Sequence, residues 1–357
     1  MLLREIASLK QNPTPLSFEE MEEPKPNESE VLIRVTRCGV CHTELDEIEG
    51  RTPPAQLPVV LGHQVVGFIE RSGDFPDTVR QDRCSRSASE GITTEVVTTG
   101  QRVGVAWIAS ACGHCHHCKS GNENLCGEFK ATGRDVNGGY AEYMKARSEF
   151  VHPIPDAFTD SEAAPLLCAG AIGYRSLRLS NIQDGQNLGL MGFGGSNHLV
   201  LKIAKHKYPN VKIFVFSRNP EEREFAMSLG AAWAGAIEQN PPSALEAVID
   251  TTPVWGPVSE ALKYLGAGGR LVVNAIRKEE TDKDVFLKMD YPSQLWMEKE
   301  IKSVANVTRA DVREFLALAA EAKIKPEFQE YELKDANRAL LEMKQGKIRG
   351  AKVLTVE

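Results

Sequence analysis

Two rhythms of apolar residues divide the chain. In the first half, Val31–Arg37 and Val65–Glu70 alternate apolar with polar positions or run through β-branched residues, the pattern of strands. Pro24, Pro26, Pro53, Pro54 and Pro58 punctuate this half. The Ser-, Thr- and Arg-rich stretch Phe75–Gly100 has weak periodicity and reads as a solvated loop or hairpin. From Leu188 onward, short apolar runs alternate with amphipathic ones. Asn187–Met191, Val211–Phe216, Ala247–Asp250 and Arg270–Asn274 predict buried strands, and Asn197–His206 and Pro257–Leu265 predict helices between them. Another helix opens after Asn219, which caps it; Pro220 takes the first helical position and Glu221 and Glu222 the first turn, where acids complement the helix dipole. Such alternation implies an α/β fold with a doubly wound parallel sheet, following a β-rich, irregular first half. Asp311–Ala322 and Lys334–Gln345 predict two more amphipathic helices, and Lys352–Val356 a terminal strand.

Composition narrows the function classes. At roughly 150 residues per domain, 357 residues suggest about two domains. With 42% apolar and 25% charged residues the chain can bury large cores and is too apolar to stay disordered. Forty-two basic against 49 acidic residues leave a net charge of −7, which offers no broad footprint for nucleic acid or an anionic membrane. Charges inside MLLREIASLK break up any export-signal core, and no run approaches the ~18 apolar residues of a membrane span. The expectation is a cytoplasmic protein.

Cysteine spacing supplies the first chemistry. Four of eight cysteines, Cys112, Cys115, Cys118 and Cys126, fall in CGHCHHCKSGNENLC. In a reducing compartment this spacing points to metal rather than disulfides. Four thiolates complete a tetrahedral zinc shell at about 2.3 Å each, leaving no place for substrate, so this zinc is structural. His114, His116 and His117 could substitute for a cysteine, but the shell closes without them.

Gly192-x-Gly194, with Gly195 beside it, sits at a strand-to-helix turn where glycines let backbone N–H groups approach a pyrophosphate at a helix N-terminus. The third fingerprint position is Asn197 instead of Gly, so the motif draws its weight from context. An acid at the end of the second strand would bind the adenosine ribose hydroxyls and repel a 2′-phosphate. This chain has Ser217 and Arg218 there. Ser217 removes the repulsion and Arg218 offers a planar donor for phosphate, which predicts NADP(H) preference with NAD(H) possible.

CGVCHTELD (38–46), LPVVLGHQVVG (57–67), the four-cysteine segment, GGYAEY (138–143), APLLCAGAIGY (164–174), GFGGSNH (192–198) and GKIRGAKVL (346–354) together resemble the zinc-dependent alcohol dehydrogenases of the medium-chain dehydrogenase/reductase superfamily. The resemblance runs through nearly the whole chain in the family's order. It implies a GroES-like catalytic domain over 1–153 carrying the structural zinc lobe, a Rossmann cofactor domain over 154–298, and a segment 299–357 returning to the first. It also implies a catalytic zinc held by Cys41, His63 and Cys168; taken alone, each of these reads as a structural cysteine or core histidine. Three protein ligands leave the open position catalysis needs, so two zinc ions are expected per subunit. Cys38 and Cys84 stay non-ligands. The implied chemistry is hydride exchange between a small alcohol, or its aldehyde or ketone, and the nicotinamide, with zinc lowering the alcohol pKa toward ~7 and Thr43 passing on its proton. His42 and Arg349 would contact the pyrophosphate, Trp107 would line the substrate pocket or sit in the core, and a homodimer or homotetramer is implied.

Three positions depart from the family pattern. Glu44 stands where an Asp orients the ligand histidine, so the charge is kept on a longer arm. Gln64 follows His63 where Glu is frequent. Asp46 occupies the end of the proton relay, where its ordinary pKa of ~3.9 matches neutral pH poorly. A polyol or sugar-alcohol dehydrogenase of the same superfamily and a non-catalytic NADPH-binding relative remain alternatives. A zinc-ribbon module for nucleic acid would need paired C-x2-C knuckles ~15–20 residues apart and a basic surface, and the chain has neither.

Overall fold

The computed structural model describes residues 1–73, 98–346 and 350–356. The chain divides into two compact units: Met1–Cys168 with Thr308–Leu316 and Lys325–Glu357, and Ala169–Val307 with Ala317–Ile324. The first unit reaches Cys168, beyond the boundary expected at 153, because the helix Asp160–Pro165 packs on the strands Glu30–Val40 and Gln64–Ser72.

The first unit is built on a seven-stranded sheet. Its order is Val151–Pro153, Arg102–Val105, Gln64–Ser72, Glu30–Val40, Ala351–Thr355 and Phe328–Glu332, and Tyr143–Arg147 also pairs with the first half of Glu30–Val40. All pairings are antiparallel except that of the last two strands in this order. The C-terminal strand thus lies against Glu30–Val40, with Lys352 opposite Val40 and Leu354 opposite Cys38. One face of the sheet buries Val31, Ile33, Val35, Val65, Val103 and Leu354 in a single core. Glu30–Val40 outruns the alternation read over Val31–Arg37 because its far end pairs with partners distant in sequence.

The second unit has six parallel strands in the order Trp233–Gly235, Lys212–Phe216, Asn187–Met191, Leu245–Asp250, Leu265–Val273 and Glu300–Ser303. Numbered along this unit, that is 3-2-1-4-5-6, a doubly wound sheet whose order reverses between Asn187–Met191 and Leu245–Asp250. Leu188, Leu190, Val215, Phe216, Val248 and Ile249 are buried, as strands covered on both faces require. Asn219 caps the helix Pro220–Ser228 by accepting from the Glu221 N–H at 2.9 Å. The helix expected to include Leu265 ends at Tyr264, since Leu265 is already extended and opens a strand. No helix among the described residues is long and apolar enough to cross a membrane.

Candidate metal and dinucleotide sites

Cys41 ends the Glu30–Val40 strand and caps the short helix His42–Ile48: its sulfur accepts from the Thr43 N–H at 3.2 Å, while Glu44 Oε2 accepts from the Cys41 N–H at 2.8 Å. The other oxygen of Glu44 lies 2.6 Å from His63 Nδ1, with both side chains buried. The longer arm of Glu44 therefore does two things at once, closing the capping box and aiming the imidazole. His63 follows Gly62, whose φ of +96° only glycine adopts readily; a Cβ there would lie 2.3 Å from the Tyr140 ring. Cys168 comes from a π-helical turn, Leu166–Gly170, a geometry often found at functional sites.

These elements converge on three atoms. His63 Nε2 is 3.6 Å from the Cys41 sulfur and 3.3 Å from that of Cys168, and among the described residues the ligand group closes at these three. Two sulfurs and an imidazole, oriented by a buried carboxylate behind the ring, are a donor set that fits zinc with a fourth position left for a non-protein ligand. The Cys168 thiol and burial raise the pKa of Cys41 well above the ordinary thiol range. Burial disfavours the His63 imidazolium, but the Glu44 and Cys41 charges outweigh it and raise the pKa well above 6.5. A cation entering here displaces protons.

The surroundings refine several expectations. Trp107 meets the His63 ring edge-on, with centroids 6.4 Å apart, and is half-buried. Gln64 is buried and fills the space where a Cβ on Gly39 would sit. Asp46 accepts from Arg51 Nε at 2.5 Å, so the carboxylate expected to end a proton relay is engaged by a guanidinium. His42 is exposed and Thr43 half-buried. Arg349 and Cys84 lie outside the described residues, as does most of Phe75–Gly100. Glu47 carries no motif of its own in the sequence. It is fully buried, and burial followed by the Glu44 charge lifts its pKa well above the carboxylate range. The available signal was its i,i+3 spacing from Glu44 on one helix face.

Cys112, Cys115, Cys118 and Cys126 have all four sulfurs within 4.8 Å of one another. Backbone N–H groups point at them: Cys115 to the Cys112 sulfur at 3.3 Å, and Cys112 and Glu128 to that of Cys126 at 3.4 and 3.3 Å. His114, His116 and His117 are exposed. The tetrathiol set fits one closed-shell zinc.

In the second unit, Gly192 has φ +76° and turns the chain out of Asn187–Met191. Asn197 explains the missing third glycine. Its buried amide donates to the Met191 and Gly192 carbonyls at 3.1 and 2.8 Å and to Thr251 Oγ1 at 3.1 Å, pinning the turn to the neighbouring strand end. Cβ atoms added at Gly194 and Gly195 would meet nothing within 4 Å. Open space over a glycine turn at the switch point suits a pyrophosphate. Ser217 is buried at the end of Lys212–Phe216, and Arg218 is exposed.

Residues 27–156 match the alcohol dehydrogenase GroES-like domain family. The chain is 39% identical over 333 residues to a probable alcohol dehydrogenase, AdhA, of Mycobacterium tuberculosis, spanning 93% of this chain and 90% of that protein. It is 33% identical over 360 residues to an alcohol dehydrogenase of Geobacillus stearothermophilus, spanning 98% and 99%. Among solved structures it resembles a cinnamyl alcohol dehydrogenase of Sorghum bicolor, with a TM-score of 0.75, 25% identity and 94% and 92% coverage. The fold is also that of the alcohol dehydrogenase of the archaeon Aeropyrum pernix, with a TM-score of 0.80, 22% identity and 99% of each chain covered.

Proposed function

The chain belongs to the zinc-type medium-chain alcohol dehydrogenases, and from that membership we propose that it exchanges hydride between a small primary or secondary alcohol, or the matching aldehyde or ketone, and NADP(H), using one catalytic and one structural zinc per subunit. The observation that carries the proposal is the convergence of Cys41, His63 and Cys168 in front of the buried Glu44 carboxylate. Bound zinc would supply Lewis acidity, lowering the pKa of the alcohol toward ~7. Cys41, His63 and Cys168 would hold the ion, and Glu44 would keep the His63 tautomer that leaves Nε2 free to ligate. Thr43 is assigned the proton, since a hydroxyl both accepts and donates. Asp46 is assigned to holding Arg51. Gly192, Gly194 and Gly195 would admit the pyrophosphate, and Arg218 would receive a 2′-phosphate.

Absorbance of the reduced nicotinamide, followed across alcohols and aldehydes with both cofactors, tests the assignment. Turnover is expected with NADP+ or NADPH, lost on strong chelation and restored by zinc. About tenfold better kcat/KM with NAD+ would overturn the cofactor preference, and no turnover on any substrate would overturn the activity. Glu44→Gln is expected to weaken zinc retention about 10–100-fold in a competition with a chromophoric chelator, with Glu44→Asp recovering part of the loss.

The proposal includes self-association. Glu300–Ser303 is an edge strand with all four residues exposed, and Trp296, Met297 and Ile301 nearby are 55%, 55% and 47% exposed. An uncovered edge of this kind favours pairing with a second copy. Light scattering on the purified protein is expected to give a dimer or tetramer mass.

A further inference from the structure

Ser217, Arg218 and Asn219 follow the Lys212–Phe216 strand, and the fold brings to them a carboxylate that lies five residues farther along the chain. The Ser217 hydroxyl accepts from the Asn219 N–H at 3.1 Å and donates to Glu222 Oε2 at 2.5 Å. Glu222 stands in the first turn of Pro220–Ser228, whose start Asn219 fixes. Arg223 donates to the carbonyls of Ser217 at 2.8 Å and Arg218 at 3.1 Å, clamping strand end and helix together. Arg218 borders a cavity of about 390 Å³ that is also lined by Ile237, Glu238, Val254 and Gly256, all just past the C-terminal ends of parallel strands.

Ligands of doubly wound sheets bind beyond those carboxyl ends, so an adenosine half seated there meets Arg218 in the cavity wall and comes up to the strand end where Ser217 holds Glu222. A carboxylate accepts from a ribose 2′-hydroxyl and repels a 2′-phosphate, whereas a guanidinium favours the phosphate. The Ser217 proton is already given to Glu222, so this hydroxyl is not a free donor for phosphate. Building on the reading that a nicotinamide dinucleotide binds this unit, we infer that Glu222, tethered by Ser217, is a specificity-determining residue. It supplies from the helix the carboxylate that the strand end lacks. By opposing Arg218, it lowers the advantage of the 2′-phosphate and keeps NAD(H) usable.

Calorimetric titration with 5′-AMP and 2′,5′-ADP, which differ only in the 2′-phosphate, reads this without turnover. The wild type is expected to bind the two within about tenfold, as opposed and partly screened charges allow. Glu222→Gln is expected to raise the affinity ratio of 2′,5′-ADP to 5′-AMP by about fivefold or more, and Ser217→Ala to move it the same way by releasing the carboxylate. Arg218→Ala is expected to lower the ratio by about fivefold or more. Should the ratio stay within about twofold of wild type in both Glu222→Gln and Ser217→Ala while Arg218→Ala still lowers it, the role of Glu222 is overturned and the cofactor reading stands. Binding of neither nucleotide by the wild type would overturn the cofactor reading itself.

Discussion

Replacing His63 by Asn is expected to lower kcat/KM for an alcohol by on the order of a thousandfold or more while leaving the fold in place. The imidazole is the one ligand that touches both sulfurs, at 3.6 and 3.3 Å, and the one that Glu44 orients. An amide on a shorter arm cannot reach Nε2's position and also face Glu44 Oε1. Two thiols without the imidazole hold a zinc ion weakly, and Lewis acidity leaves with it. Metal analysis should fall from about two zinc ions per chain to about one, because the tetrathiol lobe is untouched. Thermal unfolding should move little. A variant that kept turnover within about tenfold of wild type, with one zinc per chain, would show that the Cys41–His63–Cys168 cluster is not where the alcohol reacts.

Legibility in the sequence followed the range of the interactions. The four central strands of the second unit are readable in the sequence, and the Asn219–Pro220 helix start makes the hydrogen bond its residues suggest, whereas the edge strands Trp233–Gly235 and Glu300–Ser303, short and without a buried apolar run, are not. Buried parallel strands and helix caps are written in neighbouring residues. The Glu30–Val40 strand outruns its local pattern because its end is held by Gln64 and Leu354, which no local pattern announces. Cys168 in its π-helical turn is similar: residues 164–174 carry the family motif, but the backbone geometry that aims the sulfur is tertiary. At the cofactor end, Ser217 and Arg218 were visible and Glu222 was visible only as a first-turn acid. Its reach back to Ser217 depends on how the helix leaves the strand. The same holds for Asp46, whose neighbour Arg51 is close in sequence but becomes its partner only after the helix His42–Ile48 ends and the chain turns.

The second large effect is expected in the tetrathiol lobe, where Cys118→Ser should remove one zinc per chain and lower the unfolding midpoint by about 10 °C or more. The lobe has little else to hold it. Its helix, His116–Lys119, is a single turn, too short to persist without tertiary support. The strand pair Ile108–Ser110 with Lys130–Ala131 is short, and Leu125 is 46% exposed. Cys118 is buried among the four sulfurs, and burial raises its thiol pKa to about 12; the Cys112 thiol, with N–H groups of His114 and Cys115 directed at it, is drawn down to about 6. A cation is therefore needed to hold Cys118 as a thiolate at neutral pH. Zinc affinity at a closed thiolate site is folding free energy for the segment around it, and a serine oxygen is a poor replacement in a soft shell. Glu123, paired with Arg309 at 3.2 Å, should keep one corner of the lobe attached, so damage is expected to concentrate between Cys112 and Cys126. Limited proteolysis should therefore cut the variant within that segment and spare the wild type. A midpoint within about 2 °C of wild type, with cleavage unchanged, would mean that the lobe folds on its own contacts and the four cysteines serve something other than a structural ion.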